Sequence, residues 1–193
     1  EGKLVAADIT IHSDTGAYAS VGEEVLFRML AFACGPYEVP NVEVNAYAIH
    51  TNNNPCGAFR GYGSPQVTFA AETHIQYMFD VLGLDPLEAR RMNALDIGKA
   101  TITGDVLTEK VGAGMLACIT ALGDALRATE LPAVSEDERL GVGIACGYKN
   151  VGLGANIPDK ASARVSLEKD GTFLVRHGAA DMGQGSEQVV ALI

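Results

Sequence analysis

Two glycine-rich segments, residues 57–63 and 181–185, each end directly before a helical pattern, and they constrain the fold of this chain more than any other feature. No regular helix or strand can run through either. Glycine opens backbone conformations that side chains forbid, and it lets the main chain approach another group closely. A helix starting just beyond such a turn presents unpaired N–H groups with the helix dipole behind them, an arrangement suited to an anion or a polar heterocycle. Such turns are also common on protein surfaces, so neither segment is specific by itself.

The rest of the sequence alternates between strand-like and helix-like stretches around these punctuation marks. Residues 3–12 alternate as a strand. Ser20 and Glu23 have capping-box spacing before a helical pattern over Val25–Ala33, which Gly35-Pro36 stops. A second strand is expected over residues 39–49, followed by a polar loop from Thr51 to Gly63 of the kind that carries function. Ser64-Pro65 reads as a cap and first helical turn, and that helix should run to Gly83; Asp85-Pro86 repeats the start for a shorter helix ending near Leu95. A further helix is expected over Val111–Ala128, then an exposed acidic linker over 130–139. Residues 141–146 read as a buried strand, and a hairpin turns at Lys169-Asp170-Gly171.

The pattern predicts an α/β (α+β) chain with two mixed subdomains: residues 1–98, a connecting helix and linker over 99–139, and residues 140–193. The chain opens on Glu1 and ends inside the apolar run 189–193, so a truncated piece of a larger protein is expected.

Charge and composition narrow the function. A formal net charge of −10 argues against nucleic acid or an anionic membrane surface as partner. No apolar run reaches the roughly 20 residues of a membrane span, so no membrane insertion is expected. The four cysteines (34, 56, 118 and 146) have no C-x-x-C spacing, which fits neither zinc nor an iron–sulfur cluster. Cys34 and Cys118 are expected to be buried thiols, and a reducing cytoplasm is the simplest setting. His12, His50, His74 and His177 lack metal-ligand spacing and read as surface residues. The P-loop, dinucleotide and serine-hydrolase signatures are absent. In the first glycine segment, Arg60 is a planar cation suited to a carboxylate, carbonyl or developing oxyanion, flanked by Phe59 and Tyr62. The residues alone favour Arg60 simply pairing with a nearby acid such as Glu72.

Together the segments become specific. Gly57-Ala58-Phe59-Arg60-Gly61-Tyr62-Gly63 with Pro65-Gln66, followed in order by Asp181-Met182-Gly183-Gln184-Gly185, resembles the two signatures of the xanthine dehydrogenase/aldehyde oxidase family of molybdenum hydroxylases. Gly35-Pro36-Tyr37, Pro40-Asn41-Val42, Arg90-Arg91-Met92-Asn93 and Asp170-Gly171 fall where that family has similar residues, so the likeness spans the chain. The resemblance implies part of a molybdopterin-binding subunit. Its cofactor would be molybdopterin, in its plain or cytosine dinucleotide form, with the molybdenum held by the pterin dithiolene and not by a protein ligand.

The implied reaction inserts water-derived oxygen at an electron-poor carbon of an N-heterocycle (xanthine- or purine-like) or an aldehyde. Electrons would leave through iron–sulfur clusters and FAD on other domains or subunits. Reductive dehydroxylation of an aromatic acyl thioester on the same scaffold, and a non-catalytic cofactor-binding or assembly module, are the alternatives. By the same resemblance Arg60 and Arg28 are catalytic, Ala58, Phe59, Met182, Gly183 and Gln184 bind cofactor, and Tyr62 contacts substrate.

The sequence departs from the family where the G-F-G-G-K-type loop and the C-terminal glutamate base are missing. It also departs where Ser186-Glu187-Gln188 replaces an H-T-K-like continuation. These absences predict that the chain alone is inactive. The carbon monoxide oxidising branch has cysteine and serine after its arginine, whereas Gly61 and Tyr62 stand here.

Overall fold

The computed structural model describes residues 2–110, 112–152 and 158–193. The chain divides into two compact units, residues 1–149 and 150–193. Both are mixed α/β.

The first unit begins with a β-α-β element. Strand β1 (Ala6–Gly16) and strand β2 (Asn41–His50) lie parallel, with helix α1 (Gly22–Ala31) as the crossover. Alternation decides which face is covered. Ile9 pairs with Val44 and Ile11 with Ala46, and all four pack on a buried cluster of Val25, Leu26, Met29, Phe32, Ala33 and Val67. The opposite face carries Asp8, Thr10 and His12 beside Glu43, Asn45 and Tyr47, and it is exposed.

Helices α2 (Ser64–Leu82) and α3 (Pro86–Asn93) build a second cluster from Tyr37, Ile75, Phe79 and Ala89. The Asp85 side chain caps α3 by accepting from the backbone N–H groups of Leu87 and Glu88, as the Asp-Pro start predicts. Gly83, in the left-handed region at φ 64°, closes α2. Asn93 ties the first residues down: its Oδ1 accepts from the Leu4 N–H at 2.8 Å, and its Nδ2 donates to the Gly2 carbonyl at 2.9 Å. Helix α4 (Met115–Ala128) packs on α3 through fully buried Ile119 and through Gly123, where an added Cβ would lie 3.0 Å from Leu87.

In the second unit, β3 (Ala163–Leu167) and β4 (Phe173–His177) form the expected antiparallel hairpin. Gly171 sits at φ 85°, and the Asp170 carboxylate accepts from the Thr172 N–H and hydroxyl. Helix α5 (Ser186–Leu192) follows the second glycine segment.

Several expectations are corrected. The Ser20–Glu23 capping box does not form: α1 has Val21 at its N-cap with no side-chain hydrogen bond, and Ser20 itself lies at φ 46°. Ser64 is the first residue of α2 and not its cap; left-handed Gly63 holds that position. Helix α3 ends at Asn93, and α4 starts at Met115; Val111 lies outside the described residues.

Residues 141–149 form no strand. Ile144, Cys146 and Tyr148 alternate half-buried, with Cys146 and Tyr148 against the two clusters. The period of two is used for packing, with no described neighbour to complete a ladder. Cys34 is buried as expected, but Cys118 is exposed, because α4 turns Ile119 inward and leaves the preceding position outside.

Candidate functional site

The first glycine segment is anchored onto the end of β1 and the start of α1. Ala17 N–H donates to the Asn53 carbonyl at 3.1 Å, Thr51 N–H to Gly16 at 3.2 Å and Cys56 N–H to Thr15 at 3.2 Å. The Asp14 carboxylate, held below its usual range chiefly by the Thr51 hydroxyl and then by the Asn53 amide, braces the same corner. Beyond it the backbone makes a turn that only glycine-rich sequence permits. Gly61, Tyr62 and Gly63 lie consecutively at φ 89°, 53° and 91°. A Cβ on Gly63 would sit 2.5 Å from the Val25 carbonyl oxygen, so this residue lets the loop lie directly on α1.

This turn sorts the aromatic and charged side chains. Ala58 and Tyr62 are half-buried and pack against the α1 cluster, while Phe59 is 78% exposed. Arg60 is exposed and makes no hydrogen bond or ion pair among the described residues. The alternative of an Arg60–Glu72 pair is therefore overturned. Glu72 is buried, its Oε2 accepts from Arg90 Nε and Nη2, and its Oε1 accepts from the Tyr37 hydroxyl. Ser64, 6% exposed, follows the turn with an Oγ that has no partner among the described residues.

Arg28 lies half-buried on α1, one turn before Phe32. A residue that no sequence motif marks joins it. Lys149 places its Nζ 5.6 Å from the Phe32 ring centroid, and its pKa is lowered first by desolvation and then by the Arg28 charge. Tyr148 packs edge-on against the same ring at 4.8 Å. The one signal in the sequence was the period of two over residues 144–148, which placed Tyr148 on an inner face without naming its partner.

The second glycine segment is held by its own side chains. The Asp181 Oδ1 accepts from the Gly183 N–H at 2.8 Å, and its Oδ2 accepts from the Ser186 N–H at 2.6 Å and the Ser186 hydroxyl at 3.1 Å. Gln184 bridges the turn, accepting from the Met182 N–H and donating to the Ala180 carbonyl, both at 2.7 Å. Gly183 and Gly185 lie at φ 98° and 78°, and the Asp181 carboxyl is held below its usual range, chiefly by the Gly183 N–H.

Comparison with known proteins gives this geometry a family. The molybdopterin cofactor-binding domain matches residues 1–94, and a second domain of the same description matches residues 120–193. The chain belongs to the molybdopterin cofactor-binding family of the molybdenum hydroxylases.

It is 36% identical over 187 residues to a probable xanthine dehydrogenase subunit of Bacillus subtilis, a match covering 95% of this chain and 24% of that protein. It is 43% identical over 112 residues to the nicotinate dehydrogenase large molybdopterin subunit of Eubacterium barkeri, covering 58% of this chain and 26% of that subunit. The solved aldehyde oxidoreductase of Desulfovibrio gigas superposes with a TM-score of 0.73 at 31% identity, over 90% of this chain and 19% of that one. The chain thus spans about a quarter or less of the length of these relatives. No helix among the described residues is long and apolar enough to cross a membrane.

Proposed function

We propose that this chain is the part of a molybdenum hydroxylase that presents Arg60 to the substrate. The parent enzyme would insert water-derived oxygen at an electron-poor carbon of an N-heterocycle or an aldehyde and pass electrons to iron–sulfur and flavin modules. The observation that carries the reading is Arg60 itself. It stands exposed, without a partner among the described residues, in a loop whose backbone is fixed by three successive left-handed residues.

The residues present fit the cofactor. The donor types at the start of α2, an exposed guanidinium at Arg60 and, four residues on, a buried Ser64 hydroxyl without a partner among the described residues, suit an oxygen-rich anionic group. Molybdopterin with its molybdenum supplies the redox chemistry when bound. In this reading Ala58 and Phe59 contribute backbone near the metal end, and Met182, Gly183 and Gln184 meet the pterin. Residues 1–98 and 140–193, joined by 99–139, would contribute the two molybdopterin-binding subdomains. Tyr62, seated on α1, gives ring substrates a fixed aromatic edge.

Arg60 would hold the oxygen on which negative charge grows as the carbon is attacked, and Arg28 would add a second cation. Fixed donors of this kind act most strongly where water is excluded. The four unpaired cysteines suit a cytoplasmic, reducing setting.

The N-heterocycle reading is favoured by the 43% identity to a nicotinate dehydrogenase subunit, and the aldehyde reading by the likeness to aldehyde oxidoreductase. The test is Arg60→Ala in the complete enzyme, with turnover assayed on heterocycles and aldehydes beside molybdenum and pterin content. Loss of one strong donor should lower turnover by about 100-fold or more while cofactor content holds. Equal losses of both would make Arg60 a cofactor-holding residue. An intact wild-type complex with neither metal nor pterin would shift the function to an assembly module.

A further inference from the structure

Two positive charges are held together at the end of α1. Arg28 lies one helical turn before Phe32, so the two side chains share one side of the helix. The Lys149 ammonium stands 5.6 Å from the Phe32 ring centroid and so meets Arg28 on that side, although no sequence spacing links them. Desolvation, and then the Arg28 charge, push the Lys149 pKa down. The platform beneath is fixed. Phe32 is buried, Tyr148 packs edge-on against it, and the Tyr148 hydroxyl donates to the Ala31 carbonyl at 3.4 Å.

The fold itself does not call for a charge at position 149. The Met29, Leu30 and Phe32 carbonyls at the helix end accept from the N–H groups of Phe32, Ala33 and Gly35, and Ala31 accepts from Tyr148. The negative end of a helix dipole amounts to about half a charge, which Arg28 in the last turn already offsets. Covering the Phe32 ring needs only the apolar stem of the lysine. A second cation set beside the first raises the electrostatic energy of the free protein, and an anion arriving at the pair lowers it again.

The pair also belongs to the candidate site. Val25, about one turn before Arg28, and Met29, next to it, are the residues on which Gly63 and the Arg60 turn lie. Tyr62 and Tyr148 pack on the same buried cluster. We infer that Lys149 is a specificity-determining residue, which with the Arg28 charge beside it takes the carboxylate of a heteroaromatic acid oxidised at this site. A carboxylate lies in the plane of an aromatic ring, so it adds charge to a flat substrate without adding thickness beside Tyr62. A neutral ring or an aldehyde gains nothing from Lys149. Because the substrate carries this charge throughout the reaction, Lys149 acts on binding and not on the barrier. The pair selects for charge and not for one ring. The inference rests on the reading in which Arg60 meets the substrate.

The test is steady-state kinetics of the complete enzyme on pyridine and pyrazine carboxylates and on their carboxamides, matched pairs that share a ring and differ in charge. The wild type should favour the carboxylates. Lys149→Met keeps an apolar stem over Phe32. It should raise KM for the carboxylates about tenfold or more, with kcat held within about twofold and the carboxamide kinetics unchanged. Lys149→Arg should recover most of that loss. Equal losses on both members of a pair, or a loss in kcat alone, would make Lys149 a structural residue and overturn the inference. A wild-type enzyme that does not oxidise the carboxylates overturns it too; turnover of hypoxanthine or benzaldehyde by that enzyme leaves the Arg60 reading standing. Failure of the Arg60 reading shows separately, as Arg60→Ala turnover that stays at the wild-type level.

Discussion

Arg90 and Glu72 form an ion pair almost wholly removed from solvent, with Arg90 Nη2 2.9 Å and Nε 3.0 Å from Glu72 Oε2. Further hydrogen bonds surround the pair. Arg90 Nη1 donates to Gln76 Oε1 at 3.0 Å and to the Pro86 carbonyl at 3.1 Å, its guanidinium lies 5.7 Å from the Phe79 ring centroid, and the Tyr37 hydroxyl donates to Glu72 Oε1. Burial and that hydrogen bond keep Tyr37 protonated far above the usual phenol range. The network joins α2, α3 and the segment before β2. It thereby fixes the helix that begins at the candidate site.

Removing one partner strands the other charge in a dry interior. Arg90→Met or Glu72→Leu alone should each cost about 3–5 kcal/mol, whereas the double variant should recover much of that loss. A double-mutant cycle on urea unfolding of the subunit checks this. Additive losses would mean that the charges do not act as a pair.

Gly63 makes the loop's position testable separately from its chemistry. Gly63→Ala would push a methyl group to 2.5 Å from the Val25 carbonyl oxygen and 3.0 Å from Met29 Cγ, at φ 91°. Neither the backbone atom nor the dihedral can yield cheaply, so the loop must lift from α1 and carry Arg60 with it. Gly83→Ala is the control. It also has positive φ, at 64°, but nothing lies within 4 Å of the added carbon. Gly63→Ala should reduce turnover of the complete enzyme at least tenfold, while Gly83→Ala should cost only about 1 kcal/mol of stability and leave turnover intact. Similar turnover in both would show that the loop tolerates displacement.

What could be read from the sequence was what is local. The periods of β1, α1, β2 and α2 identify these elements because each buries one side, and the Asp85-Pro86 start and the Asp170-Gly171 turn act through neighbours two or three residues away. The glycine segments identified themselves for the same reason. Ser20 and Ser64 misled because a cap is decided by backbone geometry: Gly63 could take the left-handed position that the crowded approach to α1 demands. Arg90–Glu72 and Lys149–Phe32 were not legible, since no spacing rule links residues 18 or 117 positions apart. Residues 141–149 alternate like a strand, and packing alone satisfies the alternation.

The second glycine segment should respond to acid. The Asp181 carboxyl titrates below its ordinary 3.8, chiefly because the Gly183 N–H donates to it. A lowered folded value means that the stabilisation is present above the ordinary carboxylate range and is lost as pH falls through the folded value. Protection of the Gly183 and Ser186 amides, the free-chain exchange rate at each pH divided by the observed rate, should therefore be high at neutral pH and fall in acid. Asp181→Ala should bring the same loss of protection at pH 7. Unchanged protection in that variant would mean that Gln184 alone holds the turn.

Alkali should act on the first unit through Cys34 and Tyr148. Burial pushes Cys34 from 9.0 up to about 11 and Tyr148 from 10.0 up to about 12, the latter with a smaller contribution from Cys34. Both values are raised on folding, so the unfolded chain loses these protons first. The stability tied to the neutral forms is whole below pH 9 and drains away as pH climbs through 11 to 12. For Cys34, which is 5% exposed, the loss amounts to about 2–3 kcal/mol. The urea midpoint of the subunit should fall between pH 9 and 11. Cys34→Ala should flatten the early part of that fall, and Tyr148→Phe the later part. At pH 7.5 iodoacetamide should modify Cys34 far more slowly in the folded subunit than after unfolding in urea. Equal rates would show that the thiol is not held in the closed interior that raises its pKa.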